Sequence, residues 1–227
     1  MLAAFCKADV ADAEGRAEFE LRQTDLPSLE GLPPGSMLLK TVAASICGSD
    51  LVGRGGCGCA PDWRKPIDYL RTKQKWVGGS GHEALAEVTA VVAPCALALG
   101  ERVLAMVPGY IRAVDSVRAV FEARTGVSAT VLPKQGAFSQ FFVSHACACL
   151  RVPTAPPKPG FDPLWFVAAQ PLGTIVHACK KLGSVLGLTV VVVGQGQNGL
   201  LMTHMIANLG AKHVIGLDLL PDRLVCA

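Results

Sequence analysis

The run from Gly194 to Gly199 has the residue types and spacing that can hold phosphate groups. Gly194 would make a tight turn, Gly196 would let the backbone approach a pyrophosphate, and Gly199 would let a helix pack closely on a strand. The unpaired N–H groups at the start of that helix would then bind the phosphates. Asp218, nineteen positions after Gly199, could accept hydrogen bonds from both hydroxyls of an adenosine ribose and would repel a 2′-phosphate. The run therefore predicts a dinucleotide site that favours NAD over NADP.

Two other short runs carry side chains that bind metals. Cys47 lies in Ile-Cys-Gly-Ser-Asp (46–50), and His82 lies in Gly-His-Glu (81–83), 35 positions later. A thiolate and a neutral imidazole are both good ligands for Zn²⁺. Their wide separation differs from the close pairs of zinc fingers and indicates a site assembled by the fold, as catalytic metal sites are. Taken alone, either residue is more often a buried thiol or a core histidine, so both interpretations stay open on these residues.

The elements that would position these residues fall into two parts. Short strand patterns with Gly and Pro between them dominate the first part, at residues 38–46, 84–92, 102–107 and 136–143, and they indicate an irregular β-barrel. A Pro-rich stretch at 155–160 is the best linker candidate. A helix pattern at 165–182 and a strand–glycine turn–helix–strand unit follow it. We therefore predict a β-rich domain over residues 1–160 and a nucleotide-binding domain over residues 161–227.

Composition and charge exclude several classes of protein. Of the 227 residues, 51% are hydrophobic and the net charge is +3, which favours a packed core and argues against a nucleic-acid or membrane-surface partner. The N-terminus soon becomes acidic and polar, unlike a signal peptide, and no apolar run is long enough to span a bilayer. Nine cysteines without a secretion signal are typical of thiols or metal ligands. We expect a cytoplasmic protein.

The motifs taken in order resemble those of the zinc-dependent medium-chain dehydrogenase/reductase family, closest to its sorbitol and threonine dehydrogenase branch. They are Cys-Gly-Ser-Asp (47–50), Gly-His-Glu (81–83), Gly-Glu-Arg-Val (100–103), Gly-Ala-Phe (136–138) and the glycine run with its aspartate. The resemblance implies an α/β protein in which a GroES-like irregular β-barrel precedes a partial Rossmann domain. It also implies hydride transfer between NAD and a small alcohol or polyol at a zinc ion.

The resemblance assigns roles to five residues around the metal. Cys47 and His82 would be zinc ligands, and Glu83 would lie beside the metal and could join its coordination. Ser49 would pass the proton of the substrate hydroxyl toward solvent. Asp50 would hydrogen-bond His82 and fix its tautomer.

This chain also departs from the family pattern at some positions. The third ligand in this branch is an acidic residue, and Gln170 occupies that position here, although a neutral amide is a poorer zinc ligand than a carboxylate. Thr174 falls where the family contacts the nicotinamide ring. A second, structural zinc needs four closely spaced cysteines, and none lies between Cys95 and Cys147, so we predict that this zinc is absent.

Two alternatives stay open at this level. Gln170 and the short nucleotide domain favour a truncated, catalytically silent fragment or pseudoenzyme of the same family. The second alternative is a zinc-free relative that reduces enones or quinones with NADPH. The presence of Cys47, His82 and Asp218 argues against it. A two-stranded sheet would leave apolar side chains uncovered, so a homo-oligomer is also expected.

Overall fold

The computed structural model describes residues 1–11, 17–47, 81–113, 115–155 and 158–227. Within these residues the chain forms two compact units, Met1–Val167 and Ala168–Ala227. Each unit has a hydrophobic core of its own, as independent domains do.

Antiparallel strands form most of the first unit. The strand β1 (Leu2–Ala11) pairs with β2 (Ala17–Gln23). A five-stranded sheet contains β3 (Ser36–Ser45), β4 (Glu83–Val91), β5 (Arg102–Ala105), β6 (Phe141–His145) and β7 (Cys149–Arg151), in the order β6-β3-β4-β5-β7. Both β3 and β4 are inner strands of this sheet, and each begins with a run of four buried residues rather than an alternating pattern.

Two helices between β5 and β6 were not expected from the sequence. They are α1 (Pro108–Ala113) and α2 (Asp115–Thr125). In α2, Val117 and the buried Phe121 lie four positions apart and pack into the same core cluster, which is the spacing of one helix face. That periodicity is the signal that could have identified α2.

Helices alternate with parallel strands in the second unit. The order is α3 (Ala169–Leu182), β8 (Thr189–Val193), α4 (Gln197–Asn208), β9 (His213–Leu217) and α5 (Pro221–Val225). The strands β8 and β9 pair in parallel, with Val190 opposite Val214. Both valines pack into a core with side chains from α3 and α4. The alternate side chains along the two strands are exposed on the other face: Val191, Val193, Ile215 and Leu217.

The predicted strands at 38–46, 84–92 and 102–107 agree with β3, β4 and β5 to within two residues at each end. The predicted helix at 165–182 begins later, at Ala169, because residues Pro163–Ala168 form a 3₁₀ helix. None of the helices in the described part of the chain is long and apolar enough to span a membrane.

Candidate metal and nucleotide sites

Cys47, His82 and Glu83 lie together where β3 ends and β4 begins. One ligand atom from each residue (the thiol sulfur, an imidazole nitrogen and a carboxylate oxygen) lies within 4.8 Å of the other two. The antiparallel register explains this proximity, because Ser45 at the end of β3 is directly opposite Glu83 at the start of β4. Strand pairing thus brings together residues that are far apart in the sequence.

Glu83 is held in place by a neighbour that the sequence motifs did not reveal. Glu83 is only 2% exposed, and the Ser45 hydroxyl donates a hydrogen bond to its Oε2. The other carboxylate oxygen, Oε1, lies 4.0 Å from Nε2 of His82. The strand register was the signal that could have identified Ser45.

The His82 ring is fixed by packing. It is buried and stacks on Tyr110 of α1, with ring centroids 5.8 Å apart and planes 16° from parallel. The residue before it must be glycine, because a Cβ on Gly81 would lie 2.8 Å from the Phe138 ring. The Ala137 N–H also donates to the Gly81 carbonyl at 2.8 Å. The Gly-Ala-Phe run therefore packs directly on the Gly-His-Glu run.

The glycine run forms the turn between β8 and α4. Gly194 has φ +88°, a conformation that favours glycine, and its N–H donates to the Leu217 carbonyl at 2.6 Å. Gly196 is the N-cap of α4 and has no side chain to cap it. A Cβ on Gly199 would lie 1.7 Å from the Gly194 carbonyl oxygen. Gly194 is therefore required by its backbone conformation, and Gly199 by close packing.

Asp218 lies beside this turn at the end of β9. Its Oδ1 accepts from the Leu220 N–H at 2.9 Å and its Oδ2 from the Gln195 N–H at 2.6 Å. The Arg223 guanidinium is 3.4 Å from Oδ2. The Leu220 N–H, then the Gln195 N–H and Arg223, hold the pKa of the Asp218 carboxyl below its usual range. An open cleft of about 530 Å³ lies here, lined by Val193, Gly194, Leu217, Asp218, Leu219, Leu220 and Arg223.

Comparison with known proteins relates the whole arrangement to one family. No protein-family model matches the chain. Sheep (Ovis aries) sorbitol dehydrogenase is 30% identical over 200 residues, which are 84% of this chain and 50% of the sheep protein. A Clostridium scindens protein described as a zinc-binding dehydrogenase has a similar fold, with a TM-score of 0.70 at 19% identity, covering 99% of this chain and 60% of that one. Galactitol-1-phosphate dehydrogenase from Escherichia coli gives a TM-score of 0.65 at 18% identity, covering 99% and 57%.

Similarity to sorbitol dehydrogenases over most of its length relates the chain to the zinc-dependent medium-chain dehydrogenase/reductase family. It spans about half the length of the curated relatives that it matches. This relationship accounts for the order of the motifs, and the geometry above shows how the chain itself brings some of them together.

The other residues to which this family assigns roles remain predictions. Ser49 and Asp50 lie outside the described residues. Gln170 and Thr174 are exposed residues of α3, in the second unit. Because α3 begins at Ala169, both lie within its first two turns.

Proposed function

We propose that this chain is a zinc-dependent oxidoreductase that transfers a hydride between NAD and a small alcohol or polyol. The observation that carries the proposal is a half-buried thiol, a buried imidazole and a buried carboxylate within 4.8 Å of one another. The relatives named sorbitol dehydrogenase support a polyol or another small alcohol as the substrate class.

The two units would divide this work. We propose that residues 1–160 form a GroES-like catalytic domain and that residues 161–227 form part of an NAD-binding Rossmann domain. The antiparallel sheet that carries the metal cluster supports the first assignment. The parallel β8–α4–β9 unit with its glycine turn supports the second.

The residues of the cluster fit a zinc ion in type and spacing. Zinc binds thiolate, imidazole and carboxylate ligands at about 2.0–2.3 Å, so ligand atoms around one ion lie roughly 3–4 Å apart. The 4.0 Å between His82 Nε2 and Glu83 Oε1 agrees with a shared ion. A divalent cation bound here would also offset the cost of burying a charged carboxylate. Cys47, His82 and Glu83 would therefore hold the metal.

Zinc, when bound, supplies a Lewis acid that polarises the oxygen of an alcohol or carbonyl substrate. The surrounding residues orient the side chains that would bind the zinc. Ser45 fixes one oxygen of Glu83 and so directs the other toward His82. Tyr110 restricts rotation of the His82 ring by stacking on it. Ligands held in this way lose little conformational freedom when the metal binds.

The turn between β8 and α4 would bind the pyrophosphate of NAD. The first N–H groups of α4 are unpaired within the helix and attract negative charge. The Asp218 carboxylate stays charged, because its neighbours lower its pKa, and it can accept hydrogen bonds from the ribose hydroxyls. NAD is thus the preferred nicotinamide cofactor in this proposal.

The proposal is tested by binding and turnover measured on the same preparation. We expect one zinc per chain by metal analysis, quenching of protein fluorescence on titration with NADH, and NAD-dependent oxidation of a polyol such as sorbitol. Cys47→Ser and His82→Ala should lose zinc and turnover but keep NADH binding, since the nucleotide turn lies in the other unit. Zinc and NADH binding without oxidation of any alcohol would instead favour a catalytically silent relative. Failure to bind zinc would refute the proposal.

A further inference from the structure

A glutamine is completely buried inside the glycine turn. Gln195, the second residue of the run, is 0% exposed. Its neighbours Gly194 and Gly196 are selected for backbone reasons, but nothing in the glycine pattern calls for an amide between them. A buried amide must have hydrogen-bond partners, and those partners show what the residue does.

The side chain of Gln195 joins the strand to the helix. Its Nε2 donates to the Val192 carbonyl at 3.0 Å, and its Oε1 accepts from the Thr203 hydroxyl at 2.9 Å. A carbonyl can only accept, so the Val192 bond fixes which way the amide points and requires Thr203 to donate. One side chain thereby connects the end of β8 to the second turn of α4.

The backbone of Gln195 joins the turn to Asp218. Its N–H donates to Oδ2 of the carboxylate at 2.6 Å, and Oδ1 accepts from Leu220. Two backbone N–H groups therefore orient the carboxylate, together with the Arg223 guanidinium 3.4 Å from Oδ2. Gln195 provides one of the two N–H groups, and its own position is set by its side chain.

A glycine in β9 provides the space for this amide. A Cβ on Gly216 would lie 3.0 Å from Cδ of Gln195 and 3.1 Å from Nε2. Glycine weakens the interior of a strand, so the position of Gly216 in β9 does not explain its presence. The space that the Gln195 amide needs does explain it.

We infer that Gln195 is a positioning residue of the nucleotide site: its buried amide, held by Thr203 and Val192, fixes the glycine turn and the orientation of the Asp218 carboxylate. This inference rests on the proposed function insofar as the ligand is an adenine dinucleotide. The effect should be seen in the binding of ligands that carry an adenosine 2′-hydroxyl, because Asp218 would accept a hydrogen bond from that group.

The test replaces Thr203 and leaves the turn itself unchanged. Thr203→Val keeps the shape of the side chain and removes the donor to Gln195, whereas Thr203→Ser keeps the donor. Binding of ADP and of 2′-deoxy-ADP is measured by calorimetry on the whole chain. We expect the wild type and Thr203→Ser to prefer ADP by about tenfold, the effect of one hydrogen bond to a charged group. Thr203→Val should lose most of this preference, and Gln195→Leu should do the same.

If Thr203→Val caused only a general loss of stability, the binding of both nucleotides would weaken equally. The ratio of their affinities would then stay unchanged, and this result would overturn the inference. A wild-type chain that binds neither nucleotide would refute the proposed cofactor. The positioning claim would then be decided by hydrogen exchange of the Gln195 N–H without ligand. Faster exchange in Thr203→Val than in Thr203→Ser supports the claim, and equal rates in both overturn it.

Discussion

At the scale of single residues, the metal cluster depends on a hydrogen bond that no motif contains. The Ser45 hydroxyl donates to Glu83, whose other oxygen faces His82. Residues that orient metal ligands usually affect metal affinity by about 10- to 100-fold. Ser45 is therefore as much a part of the candidate site as the residues that would touch the ion.

Replacing Ser45 with alanine should weaken zinc retention by about 10- to 100-fold, because Glu83 loses the bond that orients it. Competition with a chromogenic chelator measures this directly. Thr89→Ala is the matched control, since the Thr89 hydroxyl also bonds between β3 and β4, donating to the Leu38 carbonyl away from the cluster. Equal zinc affinity in Ser45→Ala and Thr89→Ala would contradict the assigned role of Ser45.

The sequence pointed to candidate residues of the two sites but not to the contacts that hold them. Residue type and order pointed to Cys47, His82 and Asp218, because metal and ribose chemistry restrict which side chains can serve. Ser45 and Gln195 were missed, because their roles depend on strand register and on a buried slot that forms only in three dimensions.

At the scale of secondary-structure elements, two glycines of the second unit provide a direct comparison. Gly199→Ala in α4 would place a Cβ 1.7 Å from the Gly194 carbonyl oxygen. The helix would have to move away from the turn, and we expect a loss of about 3 kcal/mol or more in the free energy of unfolding. Gly173 in α3 faces open space, so Gly173→Ala should stabilise by about 0.5–1 kcal/mol. Denaturant titration of both variants checks this, and a tolerated Gly199→Ala would show that α4 does not need the close approach.

The end of β6 contains an element that should respond to pH. The His145 ring Nδ1 accepts from the Cys147 N–H at 3.1 Å, and Nε2 lies 2.9 Å from the Pro34 carbonyl. Burial lowers the pKa of His145, the bond to Pro34 opposes this, and Arg124 adds to the lowering. The unfolded chain therefore binds this proton more readily, and the free energy of unfolding should fall as pH drops below about 6.5.

His145→Asn should remove this part of the pH dependence, because asparagine cannot titrate and its carbonyl can still accept from Cys147. The difference in unfolding free energy between wild type and variant is measured from pH 7.5 to 5. His204→Asn makes the same change at an exposed position of α4 and serves as the control. A parallel shift of the His145→Asn curve at every pH would show that the histidine acts only through packing.

The elements themselves differed in how well the sequence predicted them. β3, β4 and β5 were found because buried strands are short apolar runs bounded by turn residues. The helix α2 was missed, because its apolar face is narrow: Phe121 is buried, whereas the neighbouring Val120 is exposed. The β8–α4–β9 unit was predicted best, because its glycine spacing is dictated by backbone contacts within a few residues.

At the scale of the whole molecule, exposed apolar surface is concentrated on the second unit. One face of β8 and β9 leaves Val191, Val193, Ile215 and Leu217 exposed, and Leu219 beyond β9 is 98% exposed. The strand pair also has two edges, which can pair with other strands. Contiguous apolar patches of this kind favour association in water.

We therefore expect the isolated chain to self-associate as its concentration rises, with a mass above 23.7 kDa in sedimentation or light scattering. Val191→Lys, in the middle of the exposed face, should shift the population toward monomer, because burying the charge in an interface would be costly. Leu150→Lys changes an exposed leucine of β7 in the first unit and should leave association unchanged. Zinc content should be the same in all three proteins, because the metal cluster lies in the first unit. A wild-type chain that stays a monodisperse monomer at every concentration would show that this apolar face does not drive association.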